Sequence, residues 1–162
     1  MSFRSSASFG KRQEFVAIAE LMRRGLDVYM TLVDDQQIDC IIRKEVNGEP
    51  VYIDVQIKAR SQSCNPGDAG RFAALEVRKP RPNFFFIFYS ERADSYWIVP
   101  SLELVNEATC NKTGKNAGRY SIVFTNLNKS ESSGIRPRPR FEKYRDNFDL
   151  LKRFLGASGT MD

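Results

Sequence analysis

Val51-Tyr52-Ile53-Asp54-Val55-Gln56-Ile57-Lys58-Ala59-Arg60 is the stretch on which the reading of this chain turns. Apolar, mostly β-branched residues alternate with other side chains along it, the pattern of a strand whose neighbours project to opposite faces. Val55 and Ile57 then enter a core, while Gln56 and Lys58 project together on the other side. Asn47-Gly48 precedes the stretch and is the strongest short signal for a tight hairpin, with Gln37–Val46 as the partner strand.

The turn sets the register. With Asn47-Gly48 as a two-residue turn, Val46 faces Glu49 and Asp39 falls opposite Gln56. With a four-residue loop over Asn47–Pro50, Asp39 falls opposite Lys58 instead. Directly opposed residues share a face, so Asp39, Gln56 and Lys58 lie together in both registers. Only a loop of odd length separates them. Asp54 has the same strand parity and is a further acid for that face. A carboxylate, an amide and an ammonium on one face of a mostly apolar hairpin form a chemical constellation rather than a packing solution.

Outward from the hairpin, Gly10–Arg24 reads as a helix, with Phe15, Ile18, Ala19 and Met22 at i, i+3, i+4, i+7 and Gly25 as its stop. Glu14 stands at the edge of that apolar stripe, so a helix packed on the sheet can aim it at the same cluster. Leu26–Val33 reads as a strand ended by Asp34-Asp35. After the hairpin come a Ser/Cys/Asn/Pro/Gly-rich loop at 61–70 and a short helix at 71–77. Phe84–Tyr89 is a continuous apolar run, expected to be a buried central strand, and Tyr96–Val99 is another strand. Ser101 caps a short helix at Leu102–Ala108. The segment 111–118 reads as a mobile basic loop, Tyr120–Phe124 as a strand and the Pro-rich 126–140 as loop. A last helix over 141–155 carries Phe141, Tyr144, Phe148, Leu151 and Leu155 on one stripe. The expected architecture is α/β: one domain over 1–162, with a mixed central β-sheet flanked by helices.

Composition narrows the chemistry. The chain has 162 residues, 41% apolar and 28% charged, enough for one domain with a real core. No apolar run approaches the length of a membrane span, and the opening residues lack the apolar stretch of a signal peptide, so a cytoplasmic protein is expected. Cys40, Cys64 and Cys110 are widely spaced and odd in number, and histidine is absent. These facts disfavour a disulfide framework and a Cys/His zinc site, and they remove Ser-His-Asp and Cys-His catalysis. What remains is chemistry by carboxylates, lysines and a hard metal ion. The net charge is +5, and residues 61–162 hold the whole surplus, densest in Arg78-Lys79-Pro80-Arg81 and Arg136-Pro137-Arg138-Pro139-Arg140. An anionic partner such as nucleic acid suits that distribution.

These residues resemble the PD-(D/E)XK nuclease superfamily, the restriction-endonuclease-like fold. Its pattern is a helical Glu, an acid on one strand of a hairpin, and (Asp/Glu)-X-Lys on the next. Glu14 matches the helical acid, Asp39 the first strand acid, and Gln56-Ile57-Lys58 the last motif. Gln56 departs from the acid found in most of the superfamily. The chain is similar there to Gln-X-Lys branches, which include intron-encoded homing endonucleases and an uncharacterised bacterial branch. Tyr96-Trp97-Ile98-Val99-Pro100 ahead of a helix also resembles that branch, and the likeness runs over about 10–155.

The resemblance implies Mg²⁺- or Mn²⁺-dependent hydrolysis of DNA phosphodiester bonds by Glu14, Asp39, Gln56 and Lys58. Asp39 would be the main metal ligand, with the Gln56 amide oxygen, the Ile57 carbonyl and Glu14 as further oxygen donors. Lys58 would orient or deprotonate the attacking water or stabilise developing charge. Arg60 and Ser61 continue from the strand and suit phosphate oxygens, while Lys112, Lys115 and Arg119 are candidate DNA-backbone contacts. A homo-oligomer, dimer or tetramer, is implied by resemblance alone. Two other readings stand beside the nuclease: a catalytically silent nucleic-acid-binding or interaction module on the same fold, and a basic accessory protein without this kinship.

Overall fold

The computed structural model describes residues 3–33, 36–126 and 134–156. Among them, a five-stranded mixed sheet runs in the order β1-β2-β3-β5-β6. Its strands are β1 (Asp27–Met30), β2 (Cys40–Val46), β3 (Glu49–Arg60), β5 (Phe84–Ser90) and β6 (Ser95–Pro100). Neighbours pair antiparallel except β3 and β5, which run parallel from Asp54↔Phe84 to Arg60↔Ser90. A second, three-stranded sheet joins β4 (Arg71–Leu75), β8 (Tyr120–Val123) and β7 (Thr109–Cys110) in the order β4-β8-β7. The α/β mixed-sheet architecture expected from the sequence is the one observed.

Asn47 and Gly48 form the two-residue turn. Both have positive φ, +52° and +81°, which the hairpin turn requires and which Asn-Gly supplies at low strain. Val46 faces Glu49 and Cys40 faces Val55, so the shorter of the two registers is realised.

Each face of the large sheet buries its own core. Ile42, Ile53, Val55, Ile57, Ile87 and Ile98 pack on one side against Ala17, Ile18 and Leu21 of helix α1 (Phe3–Arg23) and against Phe148 and Leu151. On the other side Phe84, Phe86, Phe88, Trp97 and Val99 meet Phe72, Leu75, Ile122 and Phe124 of the small-sheet region, with Leu104 of helix α2 (Ser101–Glu107). Phe84, Phe86 and Phe88 are fully buried, each worth about 1.5–3 kcal/mol of apolar transfer. Trp97 stacks on Phe124 at 4.9 Å between ring centroids. Among the described residues no helix is long and apolar enough to cross a membrane.

Several local expectations are corrected. The segment 71–77 is strand β4 rather than a helix; Phe72 and Leu75 pair with β8 and face the aromatic core. The last helix breaks in two. A 3₁₀ segment spans Pro139–Tyr144, Asp146 takes φ +50°, and helix α3 covers only Asp149–Arg153. Lys44 accounts for the short α3: its ammonium bonds the Leu151, Lys152 and Phe154 carbonyls, ending the helix on a cation. In α1 the buried stripe is Ala17, Ile18 and Leu21, while Phe15 and Met22 are half exposed. The segments Asp34-Asp35 and 127–133 lie outside the described residues, so the expected strand end and seven residues of the expected 126–140 loop fall there.

Gly70 marks the tightest junction between the two sheets. A Cβ added there would lie 2.6 to 2.8 Å from the side chain and backbone of Thr125, itself fully buried. Gly70→Ala is expected to destabilise the protein by about 1–3 kcal/mol, the usual penalty of forced overpacking. Chemical denaturation checks it, and a midpoint equal to wild type would show that this junction yields freely.

Candidate active site

β3 is twelve residues long and β2 seven, so the final turns of β3 run on past the start of β2. Pairing ends at Cys40↔Val55, after which the Asp39 N–H still reaches the Val55 carbonyl at 2.8 Å. Beyond that, the Ile57 N–H has no β2 carbonyl opposite it. The Asp39 carboxylate takes its place, with Oδ2 accepting that N–H at 2.6 Å. A charged acceptor on a buried amide is a strong hydrogen bond, and it fixes one carboxylate oxygen against the strand. The Thr31 hydroxyl donates to the Ile38 carbonyl at 2.6 Å and reaches the Asp39 carbonyl at 3.2 Å, pinning the same segment from β1.

Gln56 lies beside Phe86 in the parallel pair and is 4% exposed. Its Oε1 is buried without a hydrogen-bond partner. An amide oxygen left so costs free energy on the order of 1–3 kcal/mol, and a group that accepts such a cost in the native state calls for a ligand or a function. Lys58 follows on the same face, beside Phe88. Asp54 shares their parity, but Arg81 holds it in an ion pair at 2.6 Å, which removes it from the constellation.

Helix α1 packs on the opposite face of β3, against Ile53, Val55 and Ile57, so Glu14 approaches from the side of the sheet away from Gln56 and Lys58. It meets Lys58 at the end of the strand, in a cleft that neither Asp39 nor Gln56 lines. Glu14, Ile57, Lys58, Arg60 and Ser61 line one cleft of about 440 Å³, together with residues of α1 and of the loop through Cys64. Glu14 is bonded to Lys11 at 2.7 Å. The charges of Asp39 and Glu14 are both felt at Cys40: burial first, then these two carboxylates, push its thiol up to about 12. The two acids therefore converge on one end of the sheet. Among the described residues no three His, Cys, Asp or Glu side chains gather as a metal cluster. The oxygen donors at hand are two carboxylates, the unpartnered amide oxygen and the strand backbone.

Arg60 is turned toward β4, its Nε donating to the Arg71 carbonyl at 2.8 Å, and Ser61 shares a hydroxyl bond of 2.9 Å with Ser63. Lys112 and Lys115 sit on the β7–β8 connection and do not line the cleft. That connection is closed by backbone bonds, with Asn111 N–H on the Arg119 carbonyl and Gly118 N–H on the Asn111 carbonyl, both 2.8 Å. Arg119 faces Glu76, a residue the sequence did not single out. Hydrogen bonds from Arg78, at 3.0 and 3.1 Å, hold the Glu76 carboxyl below its usual range, and the charges of Arg78, Arg119 and Lys58 add to this. Gln37, at φ +59°, ties this segment to the Asp39 loop through the Glu76 carbonyl and the Arg78 N–H, both at 3.0 Å. Neither Gln37 nor Glu76 carries a periodicity signal, because both lie outside the strands and helices.

No family model matches the chain, and no curated protein sequence does. Among solved structures, the chain is similar to the bacterial homing endonuclease I-Ssp6803I, with a TM-score of 0.54 and 18% identity, covering 88% of this chain and 89% of that one. The fold is therefore that of an endonuclease of this kind.

The buried thiol offers a direct test of how the acids enclose this end of the sheet. At pH 8 an alkylating reagent is expected to modify exposed Cys110 and to leave Cys40 intact until the protein unfolds, because the thiolate is the reactive form and both burial and charge oppose it. Mass spectrometry of alkylated protein reads this, and rapid loss of the Cys40 thiol from folded protein would contradict the placement.

Proposed function

We propose that this chain is a metal-dependent DNA endonuclease of the PD-(D/E)XK type, in a Gln-X-Lys branch. The observation that carries the proposal is the pairing of an anchored carboxylate, Asp39 on the Ile57 N–H, with a buried, unpartnered amide oxygen on Gln56. Oxygen donors without sulfur or imidazole suit a hard cation such as Mg²⁺ or Mn²⁺. Asp39, the Gln56 Oε1, the Ile57 carbonyl and Glu14 would hold it. Once bound, such an ion polarises the phosphate and lowers the pKa of water.

The remaining roles belong to the chain itself. Lys58 reaches the cleft from β3 and supplies an ammonium that can orient the attacking water or neutralise charge developing on the phosphate. Arg60 and Ser61 continue along the wall and offer donors to phosphate oxygens. Arg119, Lys112 and Lys115 extend the basic surface along which a DNA backbone would lie, and Glu76 keeps that surface from being uniformly positive. A dimer or tetramer would bring two such clefts to the two strands of a duplex. The neutral Gln56 in place of an acid leaves the cation site one negative charge short, which favours weaker metal binding.

The decisive experiment is nicking of supercoiled plasmid in the presence and absence of Mg²⁺. Wild type is expected to nick, and Asp39→Ala or Lys58→Ala to lower the rate by about a hundredfold or more without unfolding the protein. Nicking that survives both substitutions would sink the site assignment. DNA binding with no metal-dependent nicking would establish the silent binding module instead. Gln56→Glu adds one carboxylate, so the Mg²⁺ concentration for half-maximal nicking or half-saturation is expected to fall by about tenfold or more. An unchanged requirement would exclude Gln56 from the ligand set.

A further inference from the structure

Behind the cleft, one carboxylate joins the two segments that frame it. Gln13 precedes Glu14 on α1 and is only 3% exposed. Its Nε2 donates to Glu91 Oε1 at 2.6 Å. Glu91 follows directly on β5, and its other oxygen accepts the Gln62 N–H at 3.0 Å, in the loop that leaves Lys58. The Glu91 backbone N–H donates to the Arg60 carbonyl at 3.0 Å, and neighbouring Arg92 donates to the Cys64 carbonyl at 2.6 Å. Within the loop itself, Cys64 N–H to the Ser61 carbonyl and Ser63 N–H to the Ser61 hydroxyl are added, both at 3.2 Å, beside the Ser61–Ser63 hydroxyl bond.

We infer that Glu91, through Gln13, is a positioning residue that fixes Glu14 relative to Lys58 across the cleft. The argument is one of unmet hydrogen bonds. The Gln13 Oε1 is already buried without a partner. Removing Glu91 would strip the amide of its hydrogen bond to the carboxylate as well, leaving a buried group that must reach water or move. Displacement of the α1 turn that carries Glu14 relieves it. The same loss frees the Gln62 N–H in the loop next to Lys58. One side chain bonds both segments, so its removal acts on both. The inference rests on the endonuclease reading of the cleft for its catalytic meaning, and on geometry alone for the clamp.

Four variants decide it: Glu91→Ala, Glu91→Gln, Gln13→Met and the double Gln13→Met/Glu91→Ala. In Glu91→Gln the new oxygen keeps the Gln62 N–H, and the new amide donates to the Gln13 oxygen once the Gln13 amide turns over by half a turn, so this variant preserves the clamp. Glu91→Ala and Gln13→Met are each expected to lower kcat for plasmid nicking by about tenfold or more with KM for DNA little changed, the double no further than either single, and Glu91→Gln to stay within about threefold of wild type. Amide hydrogen exchange is read on the same proteins: 9–14 and 61–64 are expected to exchange faster together in Glu91→Ala, and to keep wild-type protection in Glu91→Gln. Faster exchange in one segment only, or in neither, overturns the inference. So does a Glu91→Gln variant as impaired as Glu91→Ala, or losses that simply follow melting temperature. If wild type fails to nick with any divalent cation, the endonuclease reading falls, and the exchange measurements alone decide the clamp.

Discussion

The two residues of the Asn47-Gly48 turn constrain everything that follows. Their positive φ angles close the hairpin with Val46 against Glu49, and the register then runs to the far end of β2 without a slip. Side chains along a strand alternate, so a shift by one residue would send Gln56 and Lys58 into the aliphatic core and Val55 and Ile57 out of it. It would also move Asp39 away from the Ile57 N–H. A turn at one end of the hairpin thus decides which atoms meet at the other.

β2 and β3 differ in length, and β3 reaches the cleft on the residues that run past β2. Where β2 stops, β3 exposes backbone donors that a longer partner would have satisfied. Asp39 fills one of these positions with a carboxylate, which converts a fraying sheet edge into an ordered cluster of oxygens. The parallel partner β5 supports β3 from the other side through Arg60, and Phe86 and Phe88 keep water from the flank of Gln56 and Lys58. Local stiffness on that side is what allows a buried amide oxygen to stay unpartnered.

Much of this was legible in the residues. Alternation marked β3, Asn-Gly marked the turn but left its length open, and parity arithmetic gave Asp39 opposite Gln56 for the shorter turn, the register now observed. Phe84–Tyr89 announced a strand buried on both faces. The errors have physical causes. Ala73 and Ala74 gave 71–77 a helical look, yet Phe72 and Leu75 are claimed by the aromatic core, and tertiary packing overrode propensity. The stripe from Phe141 to Leu155 has helical spacing, but the turn at Asp146 divides it and Lys44 ends its second part. The side from which Glu14 approaches was left open, because periodicity tells which side of a helix is apolar, not which face of a sheet that side covers. Gln13, Gln37 and Glu91 escaped notice since each acts by hydrogen bonds to distant segments, and no local pattern encodes such bonds.

The approach of Glu14 and Lys58 from opposite faces of β3 has a mechanical corollary. One side chain rides on the aliphatic layer beneath the sheet, the other on the aromatic layer above it, and the strand backbone is the shared ruler between them. Strain introduced into either layer displaces one arm while leaving the other in place. The cleft's aperture therefore reports the relative settlement of two independent cores, and its accuracy is limited by the softer of the two.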